Sequence, residues 1–264
     1  IKMMIMKRIF LLTFSLFSLL AMASCGITSN DIRRMEGEFR GPQVTRLIKN
    51  KYFSKIETSL VGDVIYTQSD SLSIRIVGSK AAVEAIKVDF KGDKLVITTV
   101  GSNSFKLFGN ADQGVKVYLS SPNLVEVENE GVGGFKAKKI DTDQLKASLE
   151  GTGNLQIDTL ICDNFKGEVD GTGSLKVGYL EAMSVKASLD GTGDIKMFMV
   201  KVPSAVLSLD GTGDILVRVK DCGTVTTTID GTGDVVLKGT CKHWIQHNDT
   251  RGERTKELFN VNIK

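Results

Sequence analysis

One five-residue phrase recurs in this chain with a fixed 20-residue period: Glu150-Gly-Thr-Gly-Asn154, Asp170-Gly-Thr-Gly-Ser174, Asp190-Gly-Thr-Gly-Asp194, Asp210-Gly-Thr-Gly-Asp214 and Asp230-Gly-Thr-Gly-Asp234. A degenerate copy, Glu130-Gly-Val-Gly-Gly134, lies one period earlier. A fixed period without slippage over six copies is typical of a stacked repeat, in which each copy forms one coil. The repeat therefore indicates the architecture of the fold before it indicates any function.

When the chain is written in rows of one period each, apolar residues occupy the same position in successive rows, and we call each such position a column. Polar residues separate these columns at intervals of two, which indicates strands with one face inward. Two glycines in every period would interrupt a helix, and one period is too short for a strand, a crossover helix and a second strand. We predict an all-β, single-domain parallel β-helix, a solenoid of about 20-residue coils stacked at about 4.8 Å. The predicted inward columns are Phe135, Leu155, Leu175, Ile195, Ile215 and Val235; Ala137, Ile157, Val177, Met197, Val217 and Leu237; Leu145, Phe165, Val185, Ala205, Val225 and Ile245; and Leu149, Val169, Leu189, Leu209 and Ile229.

The repeated phrase is predicted to form a corner of each coil. Glycine at its second and fourth positions suits a backbone with positive φ, and a neighbouring aspartate can accept hydrogen bonds from amides that the turn leaves free. Stacking would also align the threonines of successive corners. Val132 replaces threonine in the degenerate copy, so the shape of the side chain matters more at this position than its hydroxyl group.

The N-terminal segment has the features of an export signal. Lys7 and Arg8 precede an apolar run from Ile9 to Ala21, which is short for a membrane span, and Cys25 follows small residues. This pattern resembles a bacterial lipoprotein signal covering residues 1–24, with Cys25 as the lipidated N-terminus; the alternative is an ordinary secretory signal cut nearby. Either interpretation places the protein outside the cytoplasm.

Removal of residues 1–24 would take away Lys2, Lys7 and Arg8 from the 34 basic residues and none of the 31 acidic ones, so the remaining chain carries no net charge. No basic stripe is present, and nucleic acid is not an expected partner.

The rest of the chain divides by composition. Residues 25–51 are polar and are expected to form a tether, residues 52–114 an N-terminal β portion with the first coil, and residues 115–244 the coils of the β-helix. Residues 245–264 are expected to cover the open end, which would otherwise expose unpaired strand edges. The apolar residues assigned to this cover are Trp244, Ile245, Leu258, Phe259, Val261 and Ile263.

The strands from Phe53 to Val100, the Gly-Thr-Gly-Asp-Ile corners and the lipoprotein signal together resemble the family called putative auto-transporter adhesin, head GIN domain. The resemblance covers roughly Phe53 to Trp244. It implies a right-handed β-helix, an extracytoplasmic location and an adhesive role, with no catalytic residues to carry over. Nothing after Asp234 resembles a membrane-barrel translocator, which argues against self-transport.

The aspartates of the last three corners suggest one candidate metal site. Hard cations such as calcium take clustered carboxylates and backbone carbonyls, but solvated turn-capping carboxylates explain the same pattern. Asn154 and Ser174 replace the final aspartate in earlier corners, so a charge is dispensable there. No other cofactor is expected. The calcium hypothesis concerns Asp190, Asp194, Asp210, Asp214, Asp230 and Asp234.

Three cysteines remain beside Cys25. The separation of Cys222 and Cys241 is one residue less than the period, so they should lie on adjacent coils and within disulfide reach. Cys162 is three coils from Cys222, about 14 Å by stacking, and cannot join them. We predict a Cys222–Cys241 disulfide; the alternative is three free thiols.

These observations favour a non-enzymatic, lipid-anchored protein of the outer membrane, facing the periplasm or the cell surface. Its ribbed surface would bind a protein or a glycan, and self-association into a homo-oligomer is compatible with the sequence. The first alternative is a polysaccharide-acting β-helix enzyme, which would need two carboxylates at roughly 5–9.5 Å in a cleft. The second is a periplasmic structural spacer.

Overall fold

The computed structural model describes residues 42–100, 114–248 and the strand at 260–263. These residues form a solenoid of strands with one short helix. The elements are β1 Gln43–Leu47, β2 Lys55–Ser59, β3 Gly62–Gln68, β4 Ser73–Ser79, α1 Lys80–Glu84, β5 Ile86–Lys91, β6 Lys94–Thr99, β7 Val115–Ser121, β8 Glu126–Asn129, β9 Phe135–Leu149, β10 Asn154–Val169, β11 Ser174–Leu189, β12 Asp194–Val200, β13 Ser204–Leu209, β14 Ile215–Ile229, β15 Val235–Asn248 and β16 Asn260–Ile263.

The coils lie flat upon one another, each offset from the last by one sequence period. Strand β10 pairs in parallel with β9 and with β11, and Leu155 stands beside Phe135 on one side and Leu175 on the other. The long strands bend once, so their first halves form one stack of parallel strands and their second halves another. The predicted all-β solenoid with about 20-residue coils is confirmed.

The predicted apolar columns lie inside the solenoid. Leu155, Leu175 and Ile195 are completely buried, and polar side chains alternate with them on the outer surface. A further inward column begins at Ile140 and continues through Leu160, Leu180 and Met199 near the bend of each coil. One hydrophobic core therefore runs the length of the stack.

The N-terminal end is closed by antiparallel strands. Strand β4 pairs antiparallel with β7, and β5 with β6 through a turn in which Gly92 has a φ of +67°. Strand β1 pairs with β4, so the prediction of a tether reaching to residue 51 is wrong for Gln43–Leu47. Backbone pairing with β4 orders this segment although its sequence has no sustained hydrophobic period.

The C-terminal coil departs from the period by one residue. Val219 pairs with Gly239, but Cys222 pairs with Cys241 and Val225 with Trp244. The prediction that Ile245 continues the inward column is therefore wrong: Trp244 takes that place, and Ile245 is 44% exposed. A shift of one residue moves every later side chain of a strand to the opposite face.

Strand β16 adds in parallel to β15, with Lys238 opposite Asn260 and Cys241 opposite Ile263. The remainder of the expected C-terminal cover, including Leu258 and Phe259, lies outside the described residues.

The corner glycines are required for space and not for conformation. Among the described glycines only Gly92 and Gly239 have positive φ, so the expectation of positive φ at the corners is wrong. A Cβ atom on Gly191 would overlap the carbonyl oxygen of Gly171 in the coil before, and the same holds along the column. Glycine lets the backbones of successive corners touch.

Candidate ligand-binding groove

A groove of about 390 Å³ follows the bend of the coils, on the side away from the Gly-Thr-Gly corners. Each coil contributes residues at equivalent positions, so the groove runs across β9, β10 and β11 to the break after β12. We call it the bend groove. Its lining residues are Asp141, Thr142, Asp143, Ile161, Cys162, Asp163, Glu181, Ala182, Met183 and Lys201.

The groove ends where the fourth coil changes its backbone path. Strands β9 to β11 run through the bend without interruption, but the fourth coil divides into β12 and β13. Lys201 lies at this division with a φ of +54°, and its amide donates a hydrogen bond to the carbonyl of Lys220 in the next coil. The left-handed residue turns the chain sharply and places Lys201 at one end of the groove.

The other end is held by a side chain of the N-terminal portion. The Gln68 amide nitrogen donates to the carbonyl oxygen of Asp141, and the Asp141 amide donates to the Gln68 side-chain oxygen, each at 2.7 Å. Gln68 also donates to the carbonyl of Pro122 at 2.9 Å. Paired hydrogen bonds of this kind fix the backbone of the groove wall.

The groove is acidic and has an apolar part. Four carboxylates and one ammonium group line it, which gives a formal charge of −3. Lys139, outside the lining, forms an ion pair with Asp141 at 3.1 Å. Met183 is 64% exposed, whereas Cys162 is buried, and burial raises the pKa of its thiol to about 12. An acidic rim beside an exposed thioether suits a ligand with hydroxyl or amino groups and an apolar face.

An aromatic cluster borders the groove on the outer face of the first stack. The Tyr179 and Phe198 rings meet edge to face with centroids 6.3 Å apart, and the Arg218 guanidinium lies 5.3 Å from the Phe198 centroid. The Tyr179 hydroxyl donates to the Glu181 carboxylate at 2.8 Å, which raises the pKa of Tyr179. Because Glu181 also lines the groove, the cluster and the groove form one continuous surface.

A change of register makes room for this cluster. Val177 pairs with Met197 and Leu180 with Met199, so two residues of β11 oppose the single Phe198 of β12. Such an irregularity redirects a side chain, here that of Tyr179 beside Phe198.

The side chain at the last position of three corners, Asn154, Asp194 and Asp214, caps an amide of the next coil. Asp194 Oδ1 accepts from the amide of Asp214 at 3.2 Å, and Asp214 Oδ1 accepts from that of Asp234 at 3.0 Å. Asn154 Oδ1 accepts the equivalent hydrogen bond from the amide of Ser174 at 3.0 Å, so a neutral side-chain acceptor serves as well as a charged one. Lys196 and the amide of Asp214 lower the pKa of Asp194 against a desolvation cost.

The calcium hypothesis is not tested by this geometry and stays a prediction. The six aspartates lie at the corners as expected, and in the described ranges no group of three or more His, Cys, Asp or Glu side chains is placed to hold a metal ion. The hydrogen bonds of Asp194 and Asp214 supply a structural role that needs no cation.

We expect Asp214→Ala to lower the free energy of unfolding by about 1 kcal/mol, because the Asp234 amide loses its acceptor. Asp214→Asn should stay near the parent value, since Asn154 makes this contact naturally. Urea denaturation followed by circular dichroism measures both. Asp210→Ala, at an exposed corner position, is the matched control, and an equal loss in Asp210→Ala would contradict the capping role.

Cys222 and Cys241 stand opposite each other in β14 and β15, as the sequence predicts, and both are thiols in this structure. Cys25 lies outside the described residues. Of the helices in the described part of the chain, none is long and apolar enough to cross a membrane.

The family model described as putative auto-transporter adhesin, head GIN domain, matches residues 52–241. The chain belongs to this family. Among curated proteins none matches the chain in sequence.

Solved structures share the fold of this head GIN domain chain. A protein described as a putative adhesin from Bacteroides fragilis is 25% identical with a TM-score of 0.69, and the match covers 79% of this chain and 94% of that one. A protein from Parabacteroides distasonis described as a putative lipid binding protein is 18% identical, with a TM-score of 0.65 and coverage of 79% and 95%. A putative adhesin from Parabacteroides merdae is 20% identical, with a TM-score of 0.58 and coverage of 80% and 95%.

Sequence reasoning did not single out the bend groove. Its columns change chemistry from coil to coil, as in Asp141, Ile161, Glu181 and Lys201, so no repeated residue marks them. The available sequence signal was Met183, because the alternation of inward and outward side chains places this apolar residue on the outer surface.

Proposed function

We propose that this head GIN domain protein is a non-enzymatic, extracytoplasmic binding protein of the bacterial cell envelope, anchored through Cys25 to the outer membrane. Its ligand is a glycan with neutral or amine-bearing sugars, held by the bend groove and the aromatic cluster. The adhesin descriptions of the family and of the Bacteroides fragilis protein support the general role. The observation that carries the finer proposal is the hydrogen bond from Tyr179 to Glu181, because it joins aromatic rings to a row of carboxylates.

The two parts of the surface offer complementary contacts to a sugar. Aromatic rings pack against the C–H face of a pyranose, and the half-buried Phe198 is held in place by Tyr179 and Arg218. Carboxylates accept hydrogen bonds from hydroxyl groups, and charge-assisted bonds are the stronger ones. The groove thus supplies acceptors where the aromatic cluster supplies an apolar platform.

The charge of the groove sets its selectivity. A formal charge of −3 repels uronic acids, sialic acids and phosphorylated sugars, and it attracts amino groups. Lys201 at the far end is the single cation of the lining and donates a hydrogen bond to a hydroxyl group of the sugar there.

A glycan array together with a polysaccharide-depolymerisation assay tests this proposal. We expect the chain to bind neutral and amine-bearing glycans, to ignore acidic ones and to release no reducing ends. Phe198→Ala should weaken binding by about 10-fold, since an aromatic contact contributes roughly 0.5–1.5 kcal/mol beyond its buried area.

Val206→Ala is the matched control, because Val206 is an exposed apolar residue on the outer face of the other stack. The double change Asp143→Asn and Asp163→Asn should relax the rejection of acidic glycans.

Turnover of a polysaccharide would favour the polysaccharide-acting enzyme. Capture of a basic peptide without glycan binding would assign the groove to a protein partner. Loss of binding in Val206→Ala but not in Phe198→Ala would move the site to the other face.

A further inference from the structure

The irregularity in the last coils brings two cysteines together. A strict 20-residue offset would place Cys222 opposite Lys242, but the register shift after Val219 places Cys222 opposite Cys241. Gly239, with a φ of +126°, and Asp221, with a φ of +54°, lie at the two sides of this shift. The departure from the repeat therefore places the two cysteines directly opposite each other on neighbouring strands.

The spacing of the pair suits a covalent bond. Neighbouring parallel strands lie about 4.8 Å apart, and disulfides join residues whose Cα atoms are about 4.4–6.8 Å apart. Both side chains face the interior: Cys222 is 1% and Cys241 3% exposed. Cys222 Sγ contacts the carbonyl oxygens of Met199 and Lys220, each at 3.7 Å.

A cavity connects the pair to the outside of the bend. It has a volume of about 240 Å³ and is lined by both cysteines together with Asp221, Thr240, Lys242 and His243. The Thr240 hydroxyl accepts from the Asp221 amide at 2.8 Å, so the two coils are already joined at its wall. The side chains of both cysteines are nevertheless almost completely buried, so an oxidant reaches the sulfur atoms only when the coil moves.

We propose that Cys222 and Cys241 form a disulfide that locks the C-terminal coil to the rest of the solenoid. In the reaction one thiolate attacks a disulfide oxidant of the extracytoplasmic space, and the second thiolate then displaces that oxidant from the mixed disulfide. An Sγ–Sγ bond forms, the S–S bond of the oxidant breaks, and two protons and two electrons leave the pair. The oxidant departs as a dithiol, or as two thiols in the case of glutathione disulfide.

Burial determines when the bond forms. Desolvation raises the pKa of both thiols, and the thiolate is the reactive form. Oxidation of the folded protein is therefore slow, whereas oxidation while the last coil docks is fast. Once formed, the bond is sheltered from reductants by the same burial.

Cys162 provides an internal control. It lies in the same inward column, but its register neighbours are Thr142 and Ala182, so no thiol stands opposite it. The bond should form between Cys222 and Cys241 and leave Cys162 reduced.

The test is to unfold the purified chain, refold it with reduced and oxidised glutathione, block free thiols with an alkylating reagent and analyse it by non-reducing mass spectrometry. We expect Cys222 and Cys241 to escape alkylation and to occur in one cross-linked peptide, about 2 Da lighter than the sum of its two reduced peptides, and Cys162 to be alkylated. The oxidised chain should melt about 5–10 °C above the reduced chain.

Cys162→Ser should keep this difference, and the double change Cys222→Ser and Cys241→Ser should abolish it. If the double variant does not fold, the comparison of oxidised and reduced parent protein still decides the question. Alkylation of Cys222 and Cys241 after refolding would overturn the disulfide, and equal melting temperatures would overturn the lock. Neither result depends on glycan binding.

Discussion

Gly191→Ala is expected to destabilise the solenoid by about 3 kcal/mol or more, through overlap of backbone and side chain at a corner. The new Cβ atom would collide with the carbonyl oxygen of Gly171 and stand 2.9 and 3.0 Å from the carbonyl carbon and oxygen of Asp170. Those atoms belong to the preceding coil and cannot rotate away as a flexible side chain would. The coils must move apart, at a cost in hydrogen bonds such as that from the Thr192 amide to Gly171. Guanidinium denaturation measures the loss.

Two control variants separate the effect of steric overlap from the effect of backbone strain. Gly92→Ala introduces a side chain at a φ of +67° where nothing lies within 4 Å, so it should cost only about 1–2 kcal/mol of left-handed strain. Thr192→Ala, at an exposed corner position, should stay within about 0.5 kcal/mol of the parent. A loss for Gly191→Ala no greater than that for Thr192→Ala would mean that the corners do not touch.

The sequence predicts the stacked part of the fold because equal positions become neighbours in space. Leu155, Leu175 and Ile195 are separated by one period each in sequence and lie side by side in three coils. The pattern holds wherever the coil length stays constant, since each coil then reproduces the register of the one before. The family resemblance follows from the same residues.

The prediction fails where coil length changes. Trp244 and Ile245 exchange faces because β15 has one residue between Gly239 and Cys241 where β14 has two between Val219 and Cys222. A sequence period cannot show where within a coil such a residue is lost. Strand β1 is missed for another reason: its pairing with β4 is a backbone interaction across about 30 residues of sequence, and it leaves no periodic mark.

The candidate site is predicted even less well than the fold. A binding groove requires differences between coils. Lys201 and Met183 line the groove, and each differs in chemistry from the residues at the same position of the other coils. The repeated aspartates attract attention in the sequence, yet Asp194 and Asp214 serve the stack by capping amides. In this protein the residues that repeat in every coil build the solenoid, and the residues of the candidate binding groove lie at positions where the coils differ.

Leu175→Asp should abolish cooperative folding, and it is the most severe single change that we predict. Leu175 is completely buried between Leu155 and Ile195. Removing it forfeits about 2–5 kcal/mol of burial and packing, and an unpaired buried carboxylate adds several kcal/mol. That total rivals the roughly 5–15 kcal/mol by which a whole domain is stable. Because each coil contacts only its neighbours, the damage divides the stack in its middle. Far-ultraviolet circular dichroism and size-exclusion chromatography report the outcome.

Lys176→Asp is the matched control, since it places the same carboxylate one residue further along the same strand. Lys176 is exposed, with Gln156 and Lys196 as its neighbours in the adjacent coils. An aspartate there is hydrated and stands beside a lysine, so the free energy of unfolding should change by less than about 1 kcal/mol. The contrast between adjacent residues depends on the alternation of faces along β11. If both variants folded equally well, or if Lys176→Asp were the more damaging, the inward orientation of these columns would be wrong, and with it the placement of the bend groove on the outside of the coils.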